Sequence, residues 1–198
     1  GQAIVIEAMR QLREQGKLGN AVIVFAGDAQ GRAAYLDELN AAIAAGNLTG
    51  NVRIVGHVED VPAVFALADG ALLVSTDPEG LGRSSVEAQA MRCPVILSRN
   101  GALPETLVAD PPPPAPPSTG WLVAPGDAAE LAEALAALLA LDPAARRAIG
   151  ARGRAPVTGR FTTDALLRHT LAVYDGLVGS RLADRFAAVA AAPGPSSG

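Results

Sequence analysis

Two glutamates flank a short glycine-rich loop near the middle of the chain. Glu79 and Glu87 are separated by seven residues, with Gly80 and Gly82 between them, and a helix is expected to start at Ser84. Backbone N–H groups at a helix start that follows the end of a parallel strand bind anions such as a diphosphate. Carboxylates repel phosphate but accept hydrogen bonds from hydroxyls. The pattern therefore predicts a nucleotide-sugar site, with the amides on the diphosphate, Glu87 on the ribose and Glu79 on the sugar.

Each glutamate also has a purely local interpretation, which the residues alone leave open. Ser84 and Glu87 have the spacing of a capping box, in which the glutamate folds back on the helix start. Glu79 lies just before a helix, where a negative charge is favourable, and Glu105 after Pro104 is a normal first-turn acid.

Composition and charge exclude several classes of function. The 198 residues carry a formal net charge of -4 and a pI near 5.2, so no nucleic-acid partner is expected. No run approaches the ~20 apolar residues of a membrane helix, and membrane association is not indicated. Cys93 is the single cysteine, which rules out an internal disulfide, suits a reducing cytoplasm and predicts a packed thiol. No spacing of His, Cys, Asp and Glu resembles a metal site.

Strands and helices alternate along the chain. Aliphatic runs predict strands at 21–26, 52–55, 71–74, 94–97 and 121–123. Helical spacing and start signals predict helices at 4–12, 35–43, 60–67, 128–141, 164–177 and 181–192, with others opening near 84 and 142. This order predicts an α/β fold with a Rossmann-like, mostly parallel sheet and helices on both faces.

Domain boundaries follow from composition. Residues 1–182 are expected to form one nucleotide-sugar-binding domain, and residues 183–198 a helical extension with a flexible tail. Proline removes N–H donors and restricts its neighbours, so 110–118 is expected to be an exposed surface loop. Arginines in the C-terminal helices are interpreted as a solvated helix face, and His169 is assigned no function.

The central stretch resembles a known family. PEGLGRSSVEAQAMRCPVILSRNGALPETL (78–107) is similar to the donor-binding signature of retaining glycosyltransferases of family 4, which have the GT-B fold and an E-x7-E arrangement. GQAIVIEAM, FAGDAQGR, VRIVGHVEDVPAVFALAD and TGWLVAPGDAAELAEAL match flanking segments, so the resemblance covers about residues 1–178. Leu81 stands where the family usually has Phe, Ala102 replaces a second glycine, and the proline insertion is atypical.

The resemblance implies residue roles. Glu79 would contact the donor sugar, Glu87 the ribose, and Arg83 would help to neutralise phosphate. The remaining expected donor-site residues are backbone or base contacts: Gly80, Leu81 and Gly82 at the sugar or diphosphate, Gly27 near the nucleotide, and Gly56, His57 and Val58 near the base.

The resemblance also implies that the chain is the C-terminal half of a GT-B protein. The first strand of that half, the basic diphosphate clamp and the N-terminal acceptor domain would precede Gly1. The donor would be a UDP- or GDP-sugar, with no metal and no cofactor. The whole protein would be a cytoplasmic hexosyltransferase, whose missing domain could bring it to a membrane surface. The present chain alone would be inactive, and it contains no identifiable catalytic base.

Other functions fit the same fold. A nucleotide-sugar epimerase of GT-B architecture is one, although the E-x7-E arrangement weighs against it. A non-catalytic nucleotide-sugar-binding module is another, and the retained Glu79 and Glu87 argue against it. A dehydrogenase is the weakest, since no G-x-G-x-x-G joins a strand to a helix.

Overall fold

A computed structural model describes residues 1–107 and 119–190 of the chain. These residues belong to two compact units, 1–156 and 157–198. The boundary between the units lies after residue 156, inside the helix Pro143–Arg160. The end of the first domain was predicted at residue 182. The expected proline-rich loop at 110–118 and the tail beyond residue 190 lie outside the described residues.

The first unit alternates strands and helices as expected. Its strands are β1 Ile23–Ala26, β2 Val52–Gly56, β3 Ala71–Leu73, β4 Val95–Ser98 and β5 Gly120–Val123. Its helices are α1 Gln2–Glu14, α2 Ala33–Ala45, α3 Val61–Leu67, α4 Arg83–Ala90, α5 Ala128–Ala140 and most of α6 Pro143–Arg160, together with a 3-10 helix at Leu103–Thr106.

All described strand pairs are parallel, and they form two sheets. β1 pairs with β2, placing Ile23 opposite Val52, and β4 lies between β3 and β5. The parallel α/β architecture is therefore confirmed. The sequence predicted one sheet, whereas the described strands form two, with no pairing between β1 and β3. The start of α1 lies beside β3, because a Cβ atom built on Gly1 would be 2.2 Å from the carbonyl oxygen of Val74. A further strand upstream of Gly1 stays a prediction.

Apolar side chains cover both faces of β4, which is buried throughout. Ile96 belongs to a core formed with α1, α2 and α5, including Met9, Leu12 and Leu131. Val95 and Leu97 point to the opposite side, in a core with Ala88 of α4 and Leu103 of the 3-10 helix. Helices on both faces of the sheet are thus confirmed. Cys93 belongs to the second core and is 2% exposed, as predicted for a packed thiol.

Local signals decide where the helices start. Asp60 caps α3 by accepting a hydrogen bond from the Ala63 amide at 3.0 Å, as its position after β2 predicted. Asp127 caps α5 through the amides of Ala129 and Glu130. The apolar stripe of α1 is buried as its spacing predicted.

The second unit contains the end of α6 and two further helices, α7 Thr163–Val178 and α8 Leu182–Ala190. Thr162 caps α7 through the Ala165 amide, and Gly179 ends α7 in the left-handed conformation. Asp175 then accepts hydrogen bonds from Ser180 and from the Leu182 and Ala183 amides, which ties the start of α8 to α7. The side chain of His169 is exposed.

Candidate functional site

The loop after β3 ends in a helix start with free amide groups. Gly82 is the N-cap of α4 with φ 71°, and α4 begins at Arg83. The helix expected to open near Ser84 therefore begins one residue earlier, and its N-cap is Gly82 rather than Ser84, because the left-handed turn at Gly82 directs the chain into the helix. Within the described residues, the N–H groups of Leu81, Gly82 and Arg83 have no hydrogen-bond acceptor. Such unsatisfied donors at a helix start can bind an anion.

Glu79 is held at the mouth of this loop. Its half-buried carboxylate accepts a hydrogen bond of 2.5 Å from the Ser75 hydroxyl at the end of β3. This contact uses one carboxylate oxygen, Oε1, and the other keeps its capacity to accept a hydroxyl. Gly80 and Leu81, which follow, are exposed.

Glu87 lies one turn into α4 and faces a groove. It accepts a hydrogen bond of 3.3 Å from Arg83, whose side chain is 84% exposed. No side chain caps α4, so the capping box does not form. An exposed pair of this kind contributes roughly 0–1 kcal/mol, so little is lost when either partner turns to a ligand.

The groove beside Glu87 lies between α3 and α4 and has a volume of about 630 Å³. Its walls combine charged, hydroxyl and apolar groups: Val61, Pro62, Phe65, Arg83, Ser84, Glu87, Ala90 and Met91. An apolar wall beside a carboxylate suits a ligand with a flat ring and neighbouring hydroxyls.

The loops after β1 and β2 meet at the same edge of their sheet. The Gly27 amide donates a hydrogen bond of 2.8 Å to the Gly56 carbonyl, so the structure brings these two glycines together. His57 is exposed and Val58 half-buried on the way to Asp60 and α3. The segment 56–58 therefore leads directly to the α3 side of the groove.

The loop after β4 contacts the backbone of the loop that carries Glu79. The Ala102 amide donates a hydrogen bond of 2.9 Å to the Glu79 carbonyl, and the Asn100 side chain donates one to the Thr76 carbonyl. A Cβ atom built on Gly101 would be 2.4 Å from the Glu79 carbonyl oxygen. The backbones of the two loops are thus in direct contact.

The start of α1 lies close to the same loop. A Cβ atom built on Gly1 would be 2.2 Å from the carbonyl oxygen of Val74, which directly precedes this loop. The loop after β3 is therefore near the starts of both α1 and α4.

No individual role was predicted for Ser75, Asn100 and Gly101, which shape the Glu79 loop. Their only signal is position, since each comes at or shortly after the carboxyl end of a parallel strand. Ser98 at the end of β4 is also notable, because its buried hydroxyl has no partner within the described residues.

Neither a metal site nor a membrane-spanning helix is found among the described residues. No group of three or more His, Cys, Asp and Glu side chains could hold a metal ion there. No helix in the same residues is both long and apolar enough to cross a membrane.

Known proteins resemble this chain in sequence and in structure. A GDP-mannose-dependent monoacylated alpha-(1-6)-phosphatidylinositol monomannoside mannosyltransferase of Corynebacterium glutamicum is 34% identical over 124 residues, 59% of this chain and 30% of the relative. A glycosyltransferase structure from Rickettsia africae superposes with a TM-score of 0.79 at 25% identity, covering 91% of this chain and 45% of that one. Anabaena HepE in complex with UDP and glucose superposes with a TM-score of 0.75 at 26% identity, covering 89% and 45%.

The chain spans less than half the length of each of these three proteins. The family model described as "Glycosyl transferases group 1" matches residues 1–141. The chain, with its parallel α/β unit and a loop of free amides at the start of α4, belongs to the glycosyl transferases group 1 family of GT-B proteins.

Proposed function

We propose that this chain is the donor-binding domain of a retaining glycosyltransferase of family 4. The donor is a UDP- or GDP-sugar, and the whole protein transfers the sugar to a hydroxyl acceptor. The observation that carries the proposal is the loop after β3, where free amides at the start of α4 lie between the carboxylates of Glu79 and Glu87. Two relatives support it by name, one GDP-mannose-dependent and one in complex with UDP and glucose.

Charge assigns the ligand groups to the residues. The diphosphate binds the amides of Leu81, Gly82 and Arg83, where hydrogen bonds and the helix dipole favour negative charge. The Arg83 guanidinium can leave Glu87 to approach the same phosphates. The two glutamates bind hydroxyls, because a carboxylate beside a phosphate would be repelled.

The two glutamates bind opposite ends of the donor. Glu87 binds the ribose hydroxyls with its two oxygens, and the base occupies the groove beside it, near Gly56, His57 and Val58. Glu79 binds hydroxyls of the sugar with its free oxygen. Gly27 lies beside Gly56 and borders the nucleotide.

The chemistry needs the donor held still and the departing diphosphate stabilised. Fixed amides at the start of α4 stabilise the charge that develops on the diphosphate as the bond to the sugar breaks. The sugar is transferred with retention, as an acceptor hydroxyl approaches from the opposite wall of a cleft. No metal and no cofactor has a role in this proposal.

The remaining parts of the reaction belong to sequence outside this chain. The acceptor wall, the basic diphosphate clamp and the catalytic residues are assigned to an N-terminal domain of the same cytoplasmic polypeptide. The chain alone therefore binds donor without transferring the sugar.

Calorimetric titration of the chain with UDP and with GDP tests the proposal. We expect one of the two nucleotides to bind and Glu87→Ala to weaken that binding about 10-fold or more, because hydrogen bonds to a charged group contribute about 1.5–3 kcal/mol. Glu133→Ala on α5 is the matched control, since it removes an exposed carboxylate elsewhere in the same unit. Glu79→Ala should leave nucleotide affinity nearly unchanged and reduce transfer by the whole protein.

Two results would contradict specific parts of the proposal. Absence of binding to both nucleotides would argue against a donor domain. Unchanged nucleotide affinity in Glu87→Ala, alongside normal folding, would remove the ribose assignment.

A further inference from the structure

A buried polar cluster joins α4 to the 3-10 helix that follows β4. Its members are Ser85, Gln89 and Thr106, which are 1%, 1% and 2% exposed. The Ser85 and Thr106 hydroxyls are 2.8 Å apart, and the Gln89 side-chain amide donates to the Thr106 carbonyl at 2.9 Å and to the Ser85 hydroxyl at 3.2 Å. The Thr106 hydroxyl also donates to the Leu103 carbonyl at 2.8 Å. The cluster therefore spans two elements that are 17 to 21 residues apart in sequence.

One side of this cluster borders an apolar core. Ala88 and Leu107, the sequence neighbours of Gln89 and Thr106, belong to the core that also contains Cys93 and Leu103. Gln89 also borders α6, because a Cβ atom built on Gly153 would be 3.4 Å from Gln89 Oε1. Polar side chains in such a core have little net effect on stability compared with well-packed apolar ones, even when all their hydrogen bonds form. Their effect is to fix the relative placement of the two elements, because the hydrogen bonds form in one placement and are lost in others.

The two elements that the cluster joins are those that position the donor-site glutamates. Glu87 lies on α4 between Ser85 and Gln89. Thr106 ends the 3-10 helix, which begins at Leu103, directly after the loop whose Gly101 and Ala102 contact the Glu79 backbone. A displacement of Thr106 relative to α4 would therefore change the placement of Glu79 relative to Glu87.

Gly82 is a second link between the same elements. A Cβ atom built on Gly82 would be 2.2 Å from Cδ2 of Leu103, so the 3-10 helix packs against the start of α4 without a side chain between them. The position of the free amides at the start of α4 therefore depends on where the 3-10 helix lies.

From these contacts we propose that Gln89, with Ser85 and Thr106, is a positioning residue of the donor site. The cluster holds α4 and the 3-10 helix in one arrangement, so that Glu79, Glu87 and the amides between them meet the same ligand. This role rests on the proposed donor-binding function. It does not require contact between Gln89 and the ligand.

Two substitutions each remove part of the hydrogen-bond network while keeping side-chain volume; Thr106→Val keeps the bond from Gln89 to the Thr106 backbone carbonyl. Gln89→Met replaces the amide by an apolar group of similar length, and Thr106→Val removes one hydroxyl. Thr106→Ser keeps the hydroxyl and is the conservative control for Thr106→Val. Ile43→Val on α2 is the control for a modest stability loss, since Ile43 is buried in the other core.

Amide hydrogen exchange without nucleotide and calorimetry with UDP and GDP are measured on each variant of the full chain. We expect Gln89→Met and Thr106→Val to speed exchange in segments 79–82 and 100–106. We also expect them to weaken nucleotide binding about 5-fold or more, within the range of remote positioning effects. Thr106→Ser should resemble the unchanged chain, and Ile43→Val should leave both segments and the affinity unaltered.

The outcomes separate this inference from the donor-binding proposal. Unchanged exchange in both segments in a folded Gln89→Met or Thr106→Val variant would overturn the positioning role, whatever nucleotide binds. Faster exchange with full affinity would overturn it as well. If the unchanged chain binds neither nucleotide, the donor-binding proposal fails. The role of the cluster in ligand binding then fails with it. If Gln89→Met does not fold, the pair Thr106→Val and Thr106→Ser decides.

Discussion

Gly101 is the residue where a single methyl group should separate the two loops of the site. In Gly101→Ala the new Cβ atom would be 2.4 Å from the Glu79 carbonyl oxygen and 2.5 Å from the Glu79 amide nitrogen. The residue would also keep φ near +56°, which costs an L-residue about 1–2 kcal/mol. Overpacking against backbone adds about 1–3 kcal/mol, because neither chain segment can rotate away as a side chain can. We expect a total loss of about 2–5 kcal/mol in the free energy of unfolding.

Gly126→Ala is the matched control for this substitution. Gly126 has φ +77°, but a Cβ atom built there has nothing within 4 Å, so only the conformational cost of about 1–2 kcal/mol applies. Urea unfolding of both variants, followed by circular dichroism, measures the difference. Equal losses in the two variants would refute the reasoning, because they would show that the contact between the loops contributes nothing. In a folded Gly101→Ala variant we also expect weaker donor binding, since Glu79 must move.

Two further predictions concern the thiol and the C-terminal helices. Burial, with a smaller contribution from the charge of Asp69, raises the pKa of Cys93 to about 12, so the native thiol should not react with Ellman's reagent at pH 8. It should react fully in guanidinium chloride, and rapid native labelling would contradict the assignment. In the second unit, hydrogen bonds from Ser180 and from the Ala183 and Leu182 amides lower the pKa of Asp175. A lowered native pKa means that this carboxylate stabilises the start of α8 above its unfolded pKa of about 3.9 and loses that effect as the pH falls below it. The Leu182 and Ala183 amides should therefore lose protection from hydrogen exchange in acid, beyond the intrinsic effect of pH on exchange. Asp175→Asn should abolish this additional pH dependence. Equal pH dependence in both proteins would contradict the role of Asp175.

Helix and strand positions could largely be read from the chain, because they depend on local patterns. The aliphatic run at 94–97 predicted β4, and the strand is found at Val95–Ser98. Asp60 predicted the start of α3, where its carboxylate accepts from the Ala63 amide. The start of α4 was predicted near Ser84 and lies at Arg83, but the N-cap is Gly82 rather than Ser84, because a glycine can adopt the left-handed conformation there.

The proposed donor site was only partly predictable. Glu79, Glu87 and the glycines between them stood out through residue type and spacing, and their ligand roles stay predictions. The contacts that hold these residues in place were not predicted. Asn100, Gly101 and Ala102 contact the Glu79 loop from a different strand, and no local pattern encodes which loops meet. Likewise, Gln89 in a helix gives no sign that its amide will reach Thr106, 17 residues away.

The sequence by itself determined the alternation of helices and strands, the parallel α/β class, and the family, since these depend on periodicity and on motifs within short stretches. Only the tertiary structure decided that the loops after β3 and β4 share a backbone contact, that Glu87 faces a groove against α3, and that the described strands form two sheets. The physical reason is that hydrogen bonds and close contacts between distant segments are selected by packing of the whole unit. Residue spacing constrains such contacts only within one helix or strand.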